Sequence, residues 1–262
     1  MTRLTALPTA LLVTLLTALP TAIEAQALES RVAVVANGTV SFHFAARPQV
    51  CGDGEHFIRT GASTYHGSFS TGRPMERCVF GPVQVRLTIE NGVVNRVQTW
   101  VGPLRDRAER DLGGVGTLEA ARFLVTVAER GSTRASEKAI LAAVLADSAV
   151  VWPALLRIAR DTDTRSRATR RDALHWLSRF AAGAIVGRPN DPFVEHEPGR
   201  DDDLKSHAVF VLSQLRGGDG VSDLLEVART NRDPHVRAQA LFWLGQSGDA
   251  RAIDLFESVL RS

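Results

Sequence analysis

An apolar helical pattern recurs at nearly constant spacing through the second half of the chain. Aligned on an alanine, its copies lie 34, 35 and 32 residues apart, and three of the four alanines are followed by the apolar runs LHWL, VFVL and LFWL. A period of this length is typical of arrays built from helix pairs, in which neighbouring units must stack to bury their apolar faces. The aligned residues are Ala139, Ala173, Ala208 and Ala240.

Two positions that were not used for the alignment also recur. Seven residues before each alanine stands a serine or an aspartate, whose side-chain oxygen can cap a helix N-terminus. Three residues before it, three of the four frames carry a basic residue, so we predict that each frame opens a helix in the same way. The predicted caps are Ser132, Ser166, Asp201 and Asp233, and the basic residues are Arg170, Lys205 and Arg237.

The last frame, DPHVRAQALFWLGQSGDARAIDLF, resembles a HEAT repeat of the short bacterial kind that is similar to phycocyanin-lyase-like repeats. Asp233 would cap its first helix, and Pro234 would lie in the first turn. Val236 would enter the core, and Arg237 stands where the family keeps a basic residue. The resemblance covers roughly residues 131–261 and weakens toward the first frame. It implies stacked helical hairpins with a continuous core and no particular reaction, since the family mainly holds other molecules.

The second frame departs from the pattern. Its partner helix should begin near Pro189, but residues 187–203 read GRPNDPFVEHEPGRDDD, and three prolines cannot continue a helix. We predict that one hairpin is incomplete or replaced by a loop. The loop is a candidate partner-binding site, although its spacing matches no metal-binding loop and a solvated acidic surface is the alternative. Its candidate residues are Asp191, Glu195, His196 and Glu197.

The residues before the repeats carry strand and turn signals. Residues 83–90 alternate between apolar and polar side chains, and Asn91-Gly92 separates them from a second such run, which strongly favours a hairpin. A further strand is expected after Asn37-Gly38, whereas residues 31–36 fit either a strand or a short helix. These signals predict a small antiparallel sheet.

The predicted fold class is therefore multidomain, with separate β and α parts. A small antiparallel β domain spans residues 28–103, and a linker rich in glycine follows over residues 104–116. Residues 117–262 are expected to form an all-α, HEAT-like solenoid.

The N-terminus has the pattern of a cleaved secretory signal over residues 1–27, with one early charge, an apolar stretch and small residues up to Ala27. The apolar stretch is shorter than the roughly 20 residues that span a bilayer. We therefore expect a periplasmic or secreted protein with no stable membrane span. Export permits a disulfide, and Cys51 and Cys78 allow one pairing; two free buried thiols are the alternative.

Arginine supplies almost all the positive charge in a chain with 31 basic and 29 acidic residues. Six arginines fall within residues 157–171. In an exported protein this cluster would face an acidic protein surface or an envelope polymer rather than a nucleic acid. Arg167 and Arg170 are therefore candidate partner-binding residues, and solvated turn charges with local ion pairs are the alternative.

The chain carries none of the motifs GxSxG, SxxK or HExxH. We predict no catalytic, cofactor-binding or metal-binding residue, and Ser63 and His66 are read as ordinary residues of a glycine-rich loop. The predicted function is a non-enzymatic exported scaffold that binds a protein or peptide partner in the cell envelope through the repeat surface. The alternatives are a structural envelope protein and an enzyme or ligand receptor with a site between the β domain and the solenoid. A deep pocket joining His56, His66 or Ser63 to the loop at 187–203 would favour the receptor.

Overall fold

The computed structural model describes residues 27–61, 64–67, 78–188, 190–193, 202–214 and 219–262. The helices are α1 Leu28–Ala33, α2 Thr117–Arg130, α3 Thr133–Val144, α4 Trp152–Arg160, α5 Arg167–Ile185, α6 Asp202–Ser213, α7 Asp219–Thr230, α8 Pro234–Ser247 and α9 Arg251–Arg261. The strands are β1 Gly38–Phe44, β2 Val50–Gly52, β3 Phe57–Thr60, β4 Thr64–Gly67, β5 Val83–Glu90, β6 Val93–Val101 and β7 Arg110–Gly114. Across these ranges, no helix has both the length and the apolar character needed to cross a membrane. The predicted signal segment lies outside the described residues, apart from Ala27.

The predicted hairpin is confirmed by strands β5 and β6, which pair antiparallel. Asn91 and Gly92 both have positive φ values, 53° and 74°, as a tight two-residue turn requires. The alternating apolar residues of β5 are buried, so one face of this strand points into the core. The first half of the undecided segment at 31–36 belongs to the short helix α1, whose Leu28 is fully buried.

The prediction of a purely antiparallel sheet is wrong at one edge. The four strands lie in the order β6-β5-β1-β7, and β7 runs parallel to β1. Strand β7 falls within the stretch expected to be a linker, because its sequence, RDLGG, has no alternating apolar pattern. Hydrogen bonds to other parts of the chain fix it instead: the Ser41 hydroxyl donates to Asp111 Oδ1 at 3.0 Å, and Arg31 donates to the Leu112 oxygen at 2.6 Å.

A second sheet of three short strands, in the order β2-β3-β4, carries the disulfide. Cys51 lies in β2 and is bonded to Cys78, which confirms the predicted pairing. Next to the bridge, Gly52 and Val79 exchange two backbone hydrogen bonds of 3.1 and 2.9 Å. The disulfide therefore holds Cys78 and Val79 against the edge strand β2.

Three of the four predicted helix caps are confirmed. Ser132 Oγ accepts a hydrogen bond from the Ala135 amide, Ser166 Oγ from the Thr169 amide, and Asp233 Oδ1 from the His235 amide, so α3, α5 and α8 begin in the same way. Asp201, the fourth predicted cap, lies outside the described residues.

The helices do not stack in chain order, as the resemblance implies they would. Helix α8 lies directly against α5, and α9 packs on α4 and α5. Within the described part of the chain, α6 packs on α7 and α8 rather than on α5. No partner helix follows α5 in the described residues up to 193, and the last hairpin, α8–α9, lies against α5. The α6–α7 hairpin therefore occupies the outer end of the stack.

The sheet and the first helices share one hydrophobic core. Helix α3 packs on β6, and the Phe42 ring of β1 meets the Phe123 ring of α2 edge-on at 6.0 Å. The same core continues through α5 to α8 and α9.

Candidate functional site

A cleft of about 530 Å³ lies where the C-terminal end of α4 and the first turns of α5 meet the turn between α8 and α9. It exists because α8–α9 lies next to α5. Its volume falls within the range of about 300–1,000 Å³ typical of ligand sites. We call it the arginine cleft, since Arg160, Arg167, Arg170 and Arg171 all line it.

One wall of the cleft consists of unpaired positive charge. Arg167, Arg170 and Arg171 are spaced i, i+3 and i+4 on α5, which places them on one helix face. None of their side chains forms a hydrogen bond or an ion pair with the described part of the chain. The rest of the arginine cluster behaves differently, since Arg157 pairs with Glu129 at 2.6 Å. The alternative of local ion pairing therefore holds for part of the cluster but not for this wall.

Arg160, at the end of α4, is already neutralised. Its Nη2 donates to Asp254 Oδ1 at 3.0 Å and to Glu257 Oε2 at 2.5 Å, both on α9. These hydrogen bonds raise the pKa of Arg160, and the bonds from Arg160 and Arg261 lower the pKa of Glu257. The role of Arg160 is thus to join α4 to α9, and the available charge in the cleft belongs to α5.

The floor of the cleft is apolar. Leu174 of α5 and Ile253 of α9 are buried side chains that line it, together with Ala159. At one side Gln246 also lines the cleft and is held in place by His175, with 2.7 Å between Nε2 and the ring Nδ1. The cleft therefore combines positive charge with an apolar surface.

The described residues 190–193 of the loop predicted after α5 lie elsewhere, over the C-terminal part of that helix. Asp191 is engaged within the fold: its Oδ1 accepts from the Phe193 amide at 2.9 Å, and its Oδ2 accepts from Gln49 at 3.2 Å. Phe193 is 2% exposed and meets the Trp176 ring edge-on at 5.9 Å. Residues 190–193 thus anchor the loop. The other candidate residues there, Glu195, His196 and Glu197, lie outside the described residues.

A smaller cleft of about 260 Å³ lies between the β region and α3. His56, Trp100 and Lys138 line it, and no residue of the loop at 187–203 does. The His56 ring is held 3.0 Å from Asp53. Ser63, the side chain of His66 and residues 194–201 lie outside the described part of the chain.

The candidates chosen from sequence included Arg167 and Arg170 but omitted Arg171. Helical spacing from the predicted cap at Ser166 places all three on one face, so that signal was available. The apolar floor was not predictable, because Ile253 reaches α5 only through the unexpected stacking order. In the described ranges, no three carboxylate, thiol or imidazole side chains gather as metal ligands.

Comparison with known families agrees with the repeat pattern in the last frame. The model of the PBS lyase HEAT-like repeat matches residues 236–262, which form most of α8 and all of α9. Neither a curated protein nor a solved structure matches the chain. The match supports a HEAT-like repeat at one wall of the arginine cleft.

Proposed function

We propose that this chain is an exported, non-enzymatic scaffold whose helices form a HEAT-like solenoid and hold a protein or peptide partner. The observation that carries the proposal is the wall of three arginines in the arginine cleft, none of which pairs with the described part of the chain. Charged side chains that face a concave surface without partners are available to a ligand, whereas paired surface charges contribute little.

The test of this function is capture of a partner by the intact protein. The immobilised protein would be incubated with an envelope extract from its own organism. Chemical cross-linking would then join the bound proteins to it. We expect proteins retained by the wild type to be lost from the variant R167Q/R170Q/R171Q. The matched control, R122Q/R130Q/R134Q, removes three exposed arginines of α2 and α3 and should retain them. The same proteins on all three columns would contradict the proposal.

The variant is preferable to a deletion of the loop at 187–203. Residues 190–193 are tied into the fold by Arg47, and Phe193 is buried, so a deletion would destabilise the protein. Loss of binding by such a deletion would not separate recognition from unfolding.

Export is the second part of the proposal. The disulfide between Cys51 and Cys78 and the absence of a membrane-crossing helix among the described residues agree with it. Mass spectrometry of the mature protein should find an N-terminus directly after Ala27. A cytoplasmic product that retains residues 1–27 would contradict this part.

A small-ligand receptor is the second candidate function. The cleft between the β region and α3 favours it, because Trp100 offers an aromatic surface beside the polar groups of His56 and Lys138. A ligand that quenches tryptophan fluorescence in the wild type but not in the variant W100F would support this candidate.

A further inference from the structure

We infer that the arginine cleft recognises an acidic peptide segment in which a carboxylate is next to an apolar side chain. This inference rests on the proposed scaffold function and names the chemistry of the partner. The carboxylate would pair with Arg170, and the apolar side chain would lie on Leu174 and Ile253.

Arg170 is set apart by comparison with the same position in the last repeat. Arg170 and Arg237 both stand three residues before the aligned alanine. Arg237 donates to the main-chain oxygens of Asn231 and Arg232 at 2.8 and 3.3 Å, so it closes the loop before its own helix. Arg170 makes no such bond to the residues that the structure describes. The basic residue therefore stabilises the loop in the last repeat, as Arg237, and is available for binding in the earlier one, as Arg170.

The Arg170 side chain also carries an unmet hydrogen-bonding need. Its Nε is out of contact with solvent and has no acceptor. A buried donor left in this state destabilises the fold. A carboxylate that draws the guanidinium forward into the cleft would remove this cost, since guanidinium and carboxylate pair through two parallel hydrogen bonds.

The exposure of the three arginines sets the direction of entry. Arg167 and Arg171 are exposed, whereas Arg170 is half-buried and close to the apolar floor. A ligand would meet the two outer charges first and Arg170 last. A second carboxylate on the ligand would then remain near Arg167, which lies one turn from Arg170, with about 5–6 Å between their Cβ atoms.

An apolar floor argues for a peptide rather than a phosphate polymer. The apolar surface beside the charges favours binding of a ligand that carries its own apolar group. A polyphosphate chain has no such group and would leave Leu174 and Ile253 uncovered. Hydrophobic and charged contacts together are what a Glu-Leu-Glu segment supplies.

The experiment measures fluorescence anisotropy with labelled peptides and the full-length protein. The probe is Ser-Glu-Leu-Glu-Ser, with two matched peptides in which glutamines replace both glutamates or serine replaces the leucine. For the wild type we expect at least roughly tenfold weaker binding of the glutamine peptide and roughly tenfold weaker binding of the serine peptide. Equal binding of all three peptides would overturn the inference.

Variants assign the effect to the cleft. R170Q should weaken binding of the probe about tenfold or more, R167Q/R171Q should weaken it less, and R134Q should leave it unchanged. Thermal unfolding of each variant shows whether it is folded. If R170Q does not fold, R170K replaces it: this variant keeps the charge but lacks the planar fork, so weaker binding is still expected. R170 variants that bind the probe as well as the wild type would overturn the inference.

The outcomes separate this inference from the function on which it rests. Inorganic polyphosphate is the competing ligand. If it binds more tightly than the probe, the cleft recognises a phosphate polymer and the peptide inference is overturned. If the arginine variant loses its captured partner but the wild type binds none of the peptides, the scaffold function stands and the acidic-peptide inference fails. If no partner depends on the arginines, the scaffold proposal itself fails.

Discussion

Arg47 donates a hydrogen bond of 2.8 Å from Nη1 to the main-chain oxygen of Asn190, a residue 143 positions further along the chain. The same side chain donates from Nε to the Val144 oxygen at 2.8 Å and from Nη2 to the Ala149 oxygen at 2.6 Å. Arg47 is only 7% exposed, and this burial lowers its pKa, while Asp191 and Asp147 oppose the shift. One guanidinium therefore ties the β region, the end of α3 and the irregular loop together.

Replacing Arg47 with alanine should destabilise the protein strongly. Three main-chain oxygens would lose their donor, and two of these bonds are buried, so we expect a loss of about 3–5 kcal/mol in the free energy of unfolding. Urea denaturation measures it. The exposed Arg134 is the matched control, and R134Q should change the free energy by less than about 0.5 kcal/mol. A loss of the same small size in R47A would show that the guanidinium does not hold the loop.

The lowered pKa of Asp53 leads us to expect a loss of stability in acid. Its pKa is about 2, because backbone amides of Glu55, His56 and Phe57 and the His56 ring bond to it and outweigh the effect of burial, which raises the pKa. A lowered pKa stabilises the fold above pH 4 and ceases to do so as the pH falls to about 2. D53N should therefore cost about 2 kcal/mol at pH 7, and the difference from wild type should shrink below pH 4.

The control for this pH profile is the exposed Asp223 of α7. As an exposed surface substitution, D223N should change the free energy of unfolding by less than about 0.5 kcal/mol. A D53N curve that stays parallel to the wild type down to pH 2 would mean that the Asp53 charge contributes nothing.

For Asp172 we expect the opposite dependence of stability on pH. Burial raises its pKa, nearby Glu137 raises it further, and Lys138 and Arg171 oppose these effects. A raised pKa means that the folded state binds the proton more tightly, so stability falls as the pH rises through the range between the unfolded and folded pKa values. D172N should therefore raise the melting temperature at pH 7 and give no gain at a pH below both values. A lower melting temperature at pH 7 would contradict this.

Gly245 tests the contact between α5 and α8. In an exposed helix, glycine to alanine stabilises by about 1 kcal/mol. Here a Cβ on Gly245 would lie 2.5 Å from the Cβ of Ser178, which is fully buried, so G245A should instead cost about 1–3 kcal/mol. In a double-mutant cycle, S178G should remove part of the cost of G245A. Stabilisation by G245A alone would place α8 away from α5.

Features with a local cause could be predicted from the sequence. The hairpin at Asn91-Gly92 and the caps at Ser132, Ser166 and Asp233 depend on residues a few positions apart, and the two cysteines allowed a single bridge. The parallel strand β7 could not be predicted, because its pairing depends on Ser41 and Arg31, distant in sequence, rather than on its own pattern.

The candidate site was predictable to the same extent. Arg170 stands on the repeat pattern, Arg167 directly follows the predicted cap at Ser166, and their helical spacing was readable. The role of Asp191 could not be predicted, since it depends on Gln49 and on the fold around Arg47. The floor of the cleft depends on which hairpin lies beside α5, and a repeat pattern gives no information on a stack that departs from chain order.

The central claim is that α8–α9 lies beside α4 and α5, since the arginine cleft exists only in that arrangement. Cross-linking of engineered cysteines tests it most directly, with R160C on α4 and D254C on α9 replacing two exposed side chains whose charged groups are 3.0 Å apart. The pair S222C and R251C, replacing side chains 3.2 Å apart on α7 and α9, is the positive control. The native cysteines are bonded to each other and should not react.

A thiol cross-linker that spans about one helix spacing of 8–10 Å should join residues 160 and 254 within one molecule, as mass spectrometry of the digested protein would detect. In a stack that follows chain order, α6–α7 would separate the two helices by about 16–20 Å. Cross-linking of the control pair without any link between 160 and 254 would contradict the arrangement and remove the arginine cleft.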